Sequence, residues 1–376
     1  MIFTCDRKDL IEVLSVVINA TSKSINPACV AFHISTEDFT SIKIQANNLE
    51  IGISTTIFAN VESFGDIFVN ANHFLKIVQK VNGDTISFKT ADNSLFITSN
   101  NSKFVIPILE IDGFQNVDQL NGDNVKSFSF RASLLKYFID STAFAAGSSN
   151  FDDRPIFTTC NFKANNEKIS MIATNTHRLA IYSFTNHEQL PDFNLLIPAK
   201  KLSLLSKFIG DSSSQIKIAF NDSWISFTFD NFIFIIRLIS GDFPKVNKVV
   251  NNINPTSKAT FNADELLDVI DRVSVVANLE QYNTAKLNFN DNQIIVTSFA
   301  PDLNINAEDK IDAIIEGDPL SPSFNVKYIT DALKVCQRIN GEKTIIEFTD
   351  DKLKPVRISN KNNSDFVYIV TPVRAD

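Results

Sequence analysis

Val69–Lys89 reads VNANHFLKIVQKVNGDTISFK, Leu196–Phe220 reads LIPAKKLSLLSKFIGDSSSQIKIAF, and Phe324–Phe348 reads FNVKYITDALKVCQRINGEKTIIEF. Each is a short apolar strand, a helix with apolar residues three and four apart, a turn, and an alternating strand. The starts lie 127 and 128 residues apart, so the chain repeats itself. The segment before each stretch repeats as well. FTCDRKDLIEVLSVV from Phe3, FSFRASLLKYFIDSTA from Phe128 and FNADELLDVIDRVSVV from Phe261 are each a strand running into an amphipathic helix. Alternating strands follow: VAFHIS, SIKIQAN and IGISTTIF, then TCNFKA, ISMIAT and LAIYSF, then AKLNFN and QIIVTS.

The joins also match, with IDGFQNV at Ile111–Val117 and SGDFPKV at Ser240–Val246. Boundaries are placed near Asn124 and Asn252, giving domains 1–124, 125–252 and 253–376, each an ordinary domain size. Each domain is expected to hold two helices and about eight strands, with the helices packed on antiparallel sheet, an α+β arrangement.

Quasi-identical domains in series curve, and a curved array closes if its ends match. Helices pack about 8–10 Å apart, so six lining a hole span a perimeter of roughly 48–60 Å. That leaves no useful bore once a helix thickness of about 10 Å is removed. Twelve helices leave a bore of roughly 20–28 Å, enough for a B-form duplex about 20 Å across. Two chains are therefore expected to encircle DNA where one cannot.

The net charge of −8 argues against a generic nucleic-acid binder. Positive charge is nonetheless concentrated on the second helix of each repeat: Lys76 and Lys80; Lys200, Lys201 and Lys207; Lys327, Lys334 and Arg338 against Asp331. In the first helices, Arg131 and Lys136 outweigh Asp140, while Asp264, Glu265, Asp268 and Asp271 swamp Arg272. Weak, salt-sensitive phosphate contacts suit a ring that slides, and an acidic exterior discourages non-specific sticking.

The hydrophobic content of 44% is enough for real cores, and 33 phenylalanines read as core filler. The N-terminus has no signal-peptide form, and no segment approaches the roughly 20 apolar residues that cross a bilayer. Cys5, Cys29, Cys160 and Cys336 form no CxxC pair, so neither metal nor disulfide is expected, and a reducing cytoplasm is the expected home. His33, His73, His177 and His187 sit in no nucleophile elbow or HExxH helix. With no Walker loop and no GxGxxG, neither catalysis nor a cofactor is expected.

Asp152–Phe184, DDRPIFTTCNFKANNEKISMIATNTHRLAIYSF, resembles the second-domain signature of the bacterial DNA polymerase III beta subunit, the beta sliding clamp family. There an Arg-Pro-led strand precedes a Thr-Asp-Gly/Ser-His-Arg-Leu-Ala turn, which here is Thr174 through Ala180. The ending YIVTPVRAD resembles the family's Tyr-x-x-Met-Pro-Met/Val-Arg. Asn175 stands for the usual Asp, Asn26-Pro27-Ala28-Cys29 for Leu-Pro-Ile-Leu, and Thr371 for Met; Ala375 and Asp376 extend past Arg374.

The resemblance covers the whole chain and implies a head-to-tail homodimer ring that tethers a replicative polymerase, repair proteins and an ATP-driven clamp loader, with no membrane partner. Their short, mostly apolar motifs would enter a groove between the second and third domains, a peptide-in-groove mode. The matching positions are Phe157, Thr174, His177, Arg178, Leu179, Pro244, Lys248 and Val249. From the third domain come Asn325, Tyr328, Leu353, Pro355, Ile369, Val370, Pro372, Val373 and Arg374. For His177 and Arg178 the residues alone allow another reading, a strand-capping turn paired with a nearby carboxylate. Lys23, Arg154, Lys200 and Lys201 match DNA-contacting positions, where phosphate contacts would position the duplex without reading it. For Arg154 an ion pair with Asp152 or Asp153 is the alternative. Ile77, Phe104 and Ile106, facing Val275 and Val276, match the dimer interface, where edge strands pair. The alternative for the whole chain is a divergent accessory scaffold that is not loaded as the main replication clamp.

Overall fold

The structure is a computed structural model that describes residues 1–148, 154–165, 168–185, 190–210, 215–279, 283–339, 343–361 and 363–374. The first third runs β1 (Ile2–Asp6), α1 (Arg7–Val17), β2 (Ala31–Thr36), β3 (Ser41–Asn47), β4 (Ile51–Phe58), β5 (Asn60–Ser63) and β6 (Asp66–Asn70), then α2 (Ala71–Lys80), β7 (Thr85–Ala91), β8 (Ser94–Ser99) and β9 (Ser102–Pro107). The middle third runs β10 (Lys126–Arg131), α3 (Ala132–Thr142), β11 (Thr159–Asn165), β12 (Lys168–Thr174), β13 (Arg178–Thr185) and β14 (Phe193–Pro198), then α4 (Ala199–Ser206), β15 (Gln215–Phe220), β16 (Trp224–Phe229), β17 (Phe232–Arg237) and the short α5 (Asn247–Asn251). The last third runs β18 (Ser257–Phe261), α6 (Ala263–Ala277), β19 (Thr284–Asn290), β20 (Gln293–Ala300), β21 (Ile305–Asp312), β22 (Ile314–Glu316) and β23 (Ser323–Asn325), then α7 (Val326–Arg338), β24 (Thr344–Phe348), β25 (Val356–Asn360) and β26 (Asn363–Val370).

Three of the strands that lead into a helix stop at, or just before, a residue whose side chain caps it. The Asp6 carboxylate accepts the N–H groups of Lys8 and Asp9 at 2.7 and 3.0 Å, opening α1. Asn70 accepts from His73 N–H at 3.0 Å to open α2, and Asn262 from Asp264 N–H at 2.8 Å to open α6. Such caps satisfy amides that have no partner inside the helix. Apolar spacing then fixes the buried face: Leu10, Val13, Leu14 and Val17 of α1, and Leu266, Val269, Ile270 and Val273 of α6, are all buried.

The chain divides into two compact units, Met1–Leu135 with Lys207–Leu238, and Lys136–Ser206 with Ile239–Asp376. The first holds an eight-stranded sheet, β10-β15-β16-β17-β4-β3-β2-β6, and a five-stranded sheet, β5-β1-β7-β8-β9. The second holds a nine-stranded sheet, β14-β11-β12-β13-β26-β25-β24-β18-β22, and a four-stranded sheet, β21-β20-β19-β23. All pairings between the described strands are antiparallel. The α+β class is thus as the patterning predicts.

Sequential repeats share sheets. In the first unit β17 zips onto β4, with Phe234 opposite Ile53. In the second, β13 zips onto β26, with Ala180 opposite Tyr368. The two halves of the middle repeat therefore belong to different compact units.

Phenylalanine fills the cores as its frequency suggests. Phe3 stacks on Phe88 at 4.6 Å and Phe74 meets both Phe88 and Phe32, while in the second unit Phe138 contacts Phe162 and Tyr182. The four cysteines are buried and free, and burial pushes the Cys160 and Cys336 thiols up to about 12, which keeps them protonated.

Candidate partner-peptide site

The turn Thr174–Arg178 is closed by its own side chains. Thr174 Oγ1 donates to the Arg178 carbonyl at 2.6 Å, and the Asn175 side-chain oxygen accepts the N–H groups of His177 and Arg178, both at 3.1 Å. Thr176 is held in the left-handed region at φ 75°. Asn175 thus performs the turn-closing role that a short acceptor side chain permits, and it adds an amide donor that reaches Tyr328 Oη at 3.3 Å.

Arg178 leaves this turn and is 6% exposed. Its Nη1 donates to Asp331 of α7 at 2.7 Å and its Nη2 to the Phe144 carbonyl. The guanidinium lies 4.4 Å from the Tyr328 ring and 5.5 Å from the Phe144 ring, a cation–π cage. Tyr368 Oη donates to the Tyr328 carbonyl at 2.9 Å, and burial pushes that phenol above its ordinary range. Of the two sequence readings of Arg178, the pairing with a carboxylate is the one seen here. That carboxylate belongs to the helix that carries Tyr328. Sequence reasoning missed Asp331, Phe144 and Tyr368 as partners, because contacts 153 and 34 residues apart leave no local spacing signal.

The remaining predicted groove residues divide into buried and accessible ones. Leu179 and Ile369 are buried in one cluster with Ile172, Val246 and Ile253, against which Phe243 and Val250 pack. Thr174, Val370 and Pro372 are also buried. His177, Pro244, Lys248, Val249, Leu353 and Arg374 are exposed, while Phe157, Asn325, Tyr328, Pro355 and Val373 are half-buried. Leu353 and Val373 line a cavity of about 960 Å³ together with Phe299, Pro301, Thr284 and Lys286. Accessible apolar side chains beside fixed polar groups are what a peptide anchor needs.

The basic candidates are on the surface. Lys23 is exposed, and Arg154 is exposed with its guanidinium 4.4 Å over the Phe157 ring. Asp152 and Asp153 lie outside the described residues, so the alternative pairing of Arg154 falls there too. Lys200 and Lys201 occupy the first turn of α4, Lys200 exposed and Lys201 half-buried. On α7, Asp331 is neutralised by Arg178, so it offsets Lys327 and Lys334 less than simple counting suggests. Lys136 donates to the Ser206 carbonyl at 3.0 Å and so caps the C-terminal end of α4. On α6 the acidic residues Asp264 and Glu265 sit in the first turn, where the helix dipole favours them.

The strands at the sheet edges include β9 in the first unit and β21 in the second. Phe104 and Val105 of β9 are exposed, Val105 by 52%, and Ile106 and Ile77 are half-buried. On α6 Val275 is exposed while Val276 is buried. Leu279, Phe299, Leu303 and Ile305 are also exposed, and sequence reasoning did not single them out. It also missed β21, whose INAEDKID reads as a polar stretch; edge strands commonly carry charge.

Three consecutive repeats that share antiparallel sheets are the arrangement of a DNA sliding clamp. Models of the DNA polymerase III beta subunit match along the chain: its N-terminal domain at residues 1–118, its central domain at 130–245 and its C-terminal domain at 253–374. The beta sliding clamp of Bacillus subtilis strain 168 is 28% identical over 388 residues, covering all of both chains. That of Streptococcus pneumoniae serotype 4 is 28% identical over 374 residues, covering 98% of this chain and 94% of the relative. A crystal structure of the DNA polymerase sliding clamp from B. subtilis superposes with a TM-score of 0.91 at 27% identity over the full length of both chains. The beta chain of DNA polymerase III from S. pneumoniae TIGR4 gives 0.89 at 25%, again over both full lengths. The chain belongs to the DNA polymerase III beta subunit family.

Proposed function

We propose that two copies close head to tail into a ring around duplex DNA and hold a replicative polymerase on its template, without catalysing a reaction themselves. The supporting observation is the side-chain chemistry of two edge strands, β9 and β21. β9 carries Lys103 beside exposed Phe104 and Val105, and β21 carries Glu308 and Asp309 beside exposed Ile305 and nearby Leu303. Opposite charge and exposed apolar surface suit β9 of one copy to β21 of the other, and pairing removes both aggregation-prone edges. In this reading Ile77, Phe104 and Ile106 of one copy meet Val275, Leu279, Leu303 and Ile305 of the other across the joint, and Val276 supports Val275 from the core.

The division into domains 1–124, 125–252 and 253–376 is part of this proposal. Lys23, Arg154, Lys200 and Lys201 touch phosphates, and the second–third domain groove receives the short motifs of the polymerase, clamp loader and repair proteins in the cytoplasm. Mass in solution and retention on DNA test it together. A dimer that stays on nicked circles and runs off linear ends is expected. A monomer at micromolar concentration, or equal retention on circles and linear fragments, overturns the ring.

A further inference from the structure

The first unit contains a pocket of about 310 Å³ lined by Leu49, Gln115, Ser223, Trp224 and Arg237. It lies where β17 zips onto β4, and its backbone repeats that of the Thr174–Arg178 turn. Arg237 N–H donates to the Glu50 carbonyl at 2.9 Å, as Thr371 N–H donates to the His177 carbonyl at 2.9 Å. The Asn48 side chain accepts the N–H groups of Glu50 and Ile51 at 3.1 and 3.0 Å, as Asn175 does for His177 and Arg178. Leu49 is left-handed at φ 71°, and Thr176 at φ 75°. Trp224 is opposite Arg237 in register, where Pro355 precedes the Val356–Val370 pair. Leu49, Gln115, Trp224 and Arg237 thus occupy the places of Thr176, Pro244, Pro355 and Thr371.

The walls of this pocket are fixed. Asn47 Nδ2 donates to the Gln115 carbonyl at 2.9 Å, and Val117 N–H donates to Gln45 Oε1 at 2.7 Å. Val117 fills the space over Gly52, where a Cβ would come within 2.7 Å of its Cγ2. Where the later junction uses the apolar pair Leu179 and Val246, this one pins its linker with hydrogen bonds. A pre-fixed wall spares a ligand the entropy of ordering it.

The lining also departs from its counterpart in chemistry. Leu49 is 42% exposed, Trp224 is half-buried, and the Arg237 side chain is exposed with no ion pair among the described residues. We propose that this pocket is a second docking site, which takes a short peptide segment presenting one large apolar side chain to Leu49 and Trp224 and a carboxylate to Arg237. A cavity of this size fits a single anchor, Trp and Arg dominate binding hot spots, and a guanidinium favours a carboxylate through paired, charge-assisted hydrogen bonds. The inference rests on the reading of the later junction as a peptide groove, and it gives each chain two anchor sites of different charge.

Trp224 is the only tryptophan, so its emission reports on this pocket alone. The full chain is titrated with a blocked hexapeptide that carries one Asp, one Leu and one Phe among serines, and heat is recorded beside emission. Two sites per chain are expected, one of them coupled to Trp224. Arg237→Glu should weaken the coupled site by about tenfold or more. Val249→Asp should remove the other site and leave the emission change. Matching circular dichroism checks that both variants fold. Silent Trp224 emission with one site lost in Val249→Asp overturns the second site and leaves the groove standing. An emission change with a single site that Val249→Asp does not touch supports the second site and sinks the groove. An emission change that Arg237→Glu leaves intact overturns the proposed chemistry, and no binding at all overturns both readings.

Discussion

Arg178 shows how one side chain can join two parts of a sequence. Its buried guanidinium is matched by Asp331, by the Phe144 carbonyl and by two ring faces. A buried charge that loses its partner is costly, whereas loss of both partners is cheaper. Asp331→Ala should therefore lower unfolding stability by about 3 kcal/mol or more, while Arg178→Met with Asp331→Leu should recover much of the loss. Urea unfolding measures both, and a single-variant cost below about 1 kcal/mol would show that the pair is ornamental. His33 gives a pH-dependent case. Burial lowers its pKa against the opposing pull of Asp66 at 3.4 Å, and the ring stacks on Phe68 at 4.4 Å. The folded state thus prefers the neutral ring. As pH falls through about 6.5 the unfolded chain takes the proton first, and stability drops until the folded pKa is passed. Wild type should lose more melting temperature than His33→Gln between about pH 7 and about pH 5, and an NMR titration of His33 above about 6.5 would contradict this.

At the scale of the element, α4 carries a conflict that α6 avoids. Asp264 and Glu265 stand in the first turn of α6, and Asp6 and Asp9 offset Arg7 and Lys8 at the start of α1, whereas α4 places Lys200 and Lys201 there with no acidic residue. Cations at a helix N-terminus oppose its dipole, at about 0.3–1 kcal/mol each. Local stability alone does not account for that placement. Lys200→Glu with Lys201→Glu should raise the melting temperature and yet shorten retention on nicked circular DNA. Loss of both stability and retention would mean that the lysines hold the fold instead. The lysines and their helix were legible in the sequence, because period and charge are local. The shared sheets were not, because register between β4 and β17, or β13 and β26, is set by residues more than a hundred positions apart.

Across the whole molecule, the repeat is the design. It places the same turn at both junctions and leaves an edge strand in the first and last thirds. Val105→Asp with Leu303→Asp should halve the mass seen by sedimentation while leaving circular dichroism unchanged. A dimer that survives both charges would place the joint elsewhere. The groove residues named from motifs differ in exposure: His177 and Val249 are accessible, whereas Leu179 and Val370 are buried. No motif distinguishes the two, since burial depends on what other elements place above a residue.

The sequence by itself determined the threefold repeat, the helices and most strands, the α+β class and the family. These follow from periodicity, capping residues and contiguous motifs, all carried by neighbours along the chain. Only the tertiary structure decided that Asp331 answers Arg178, that β21 is a sheet edge, and that Leu49, Trp224 and Arg237 share a pocket. Those facts depend on distances between segments far apart in the chain, which come close only when sheets zip across the repeats and exclude water from the space between them.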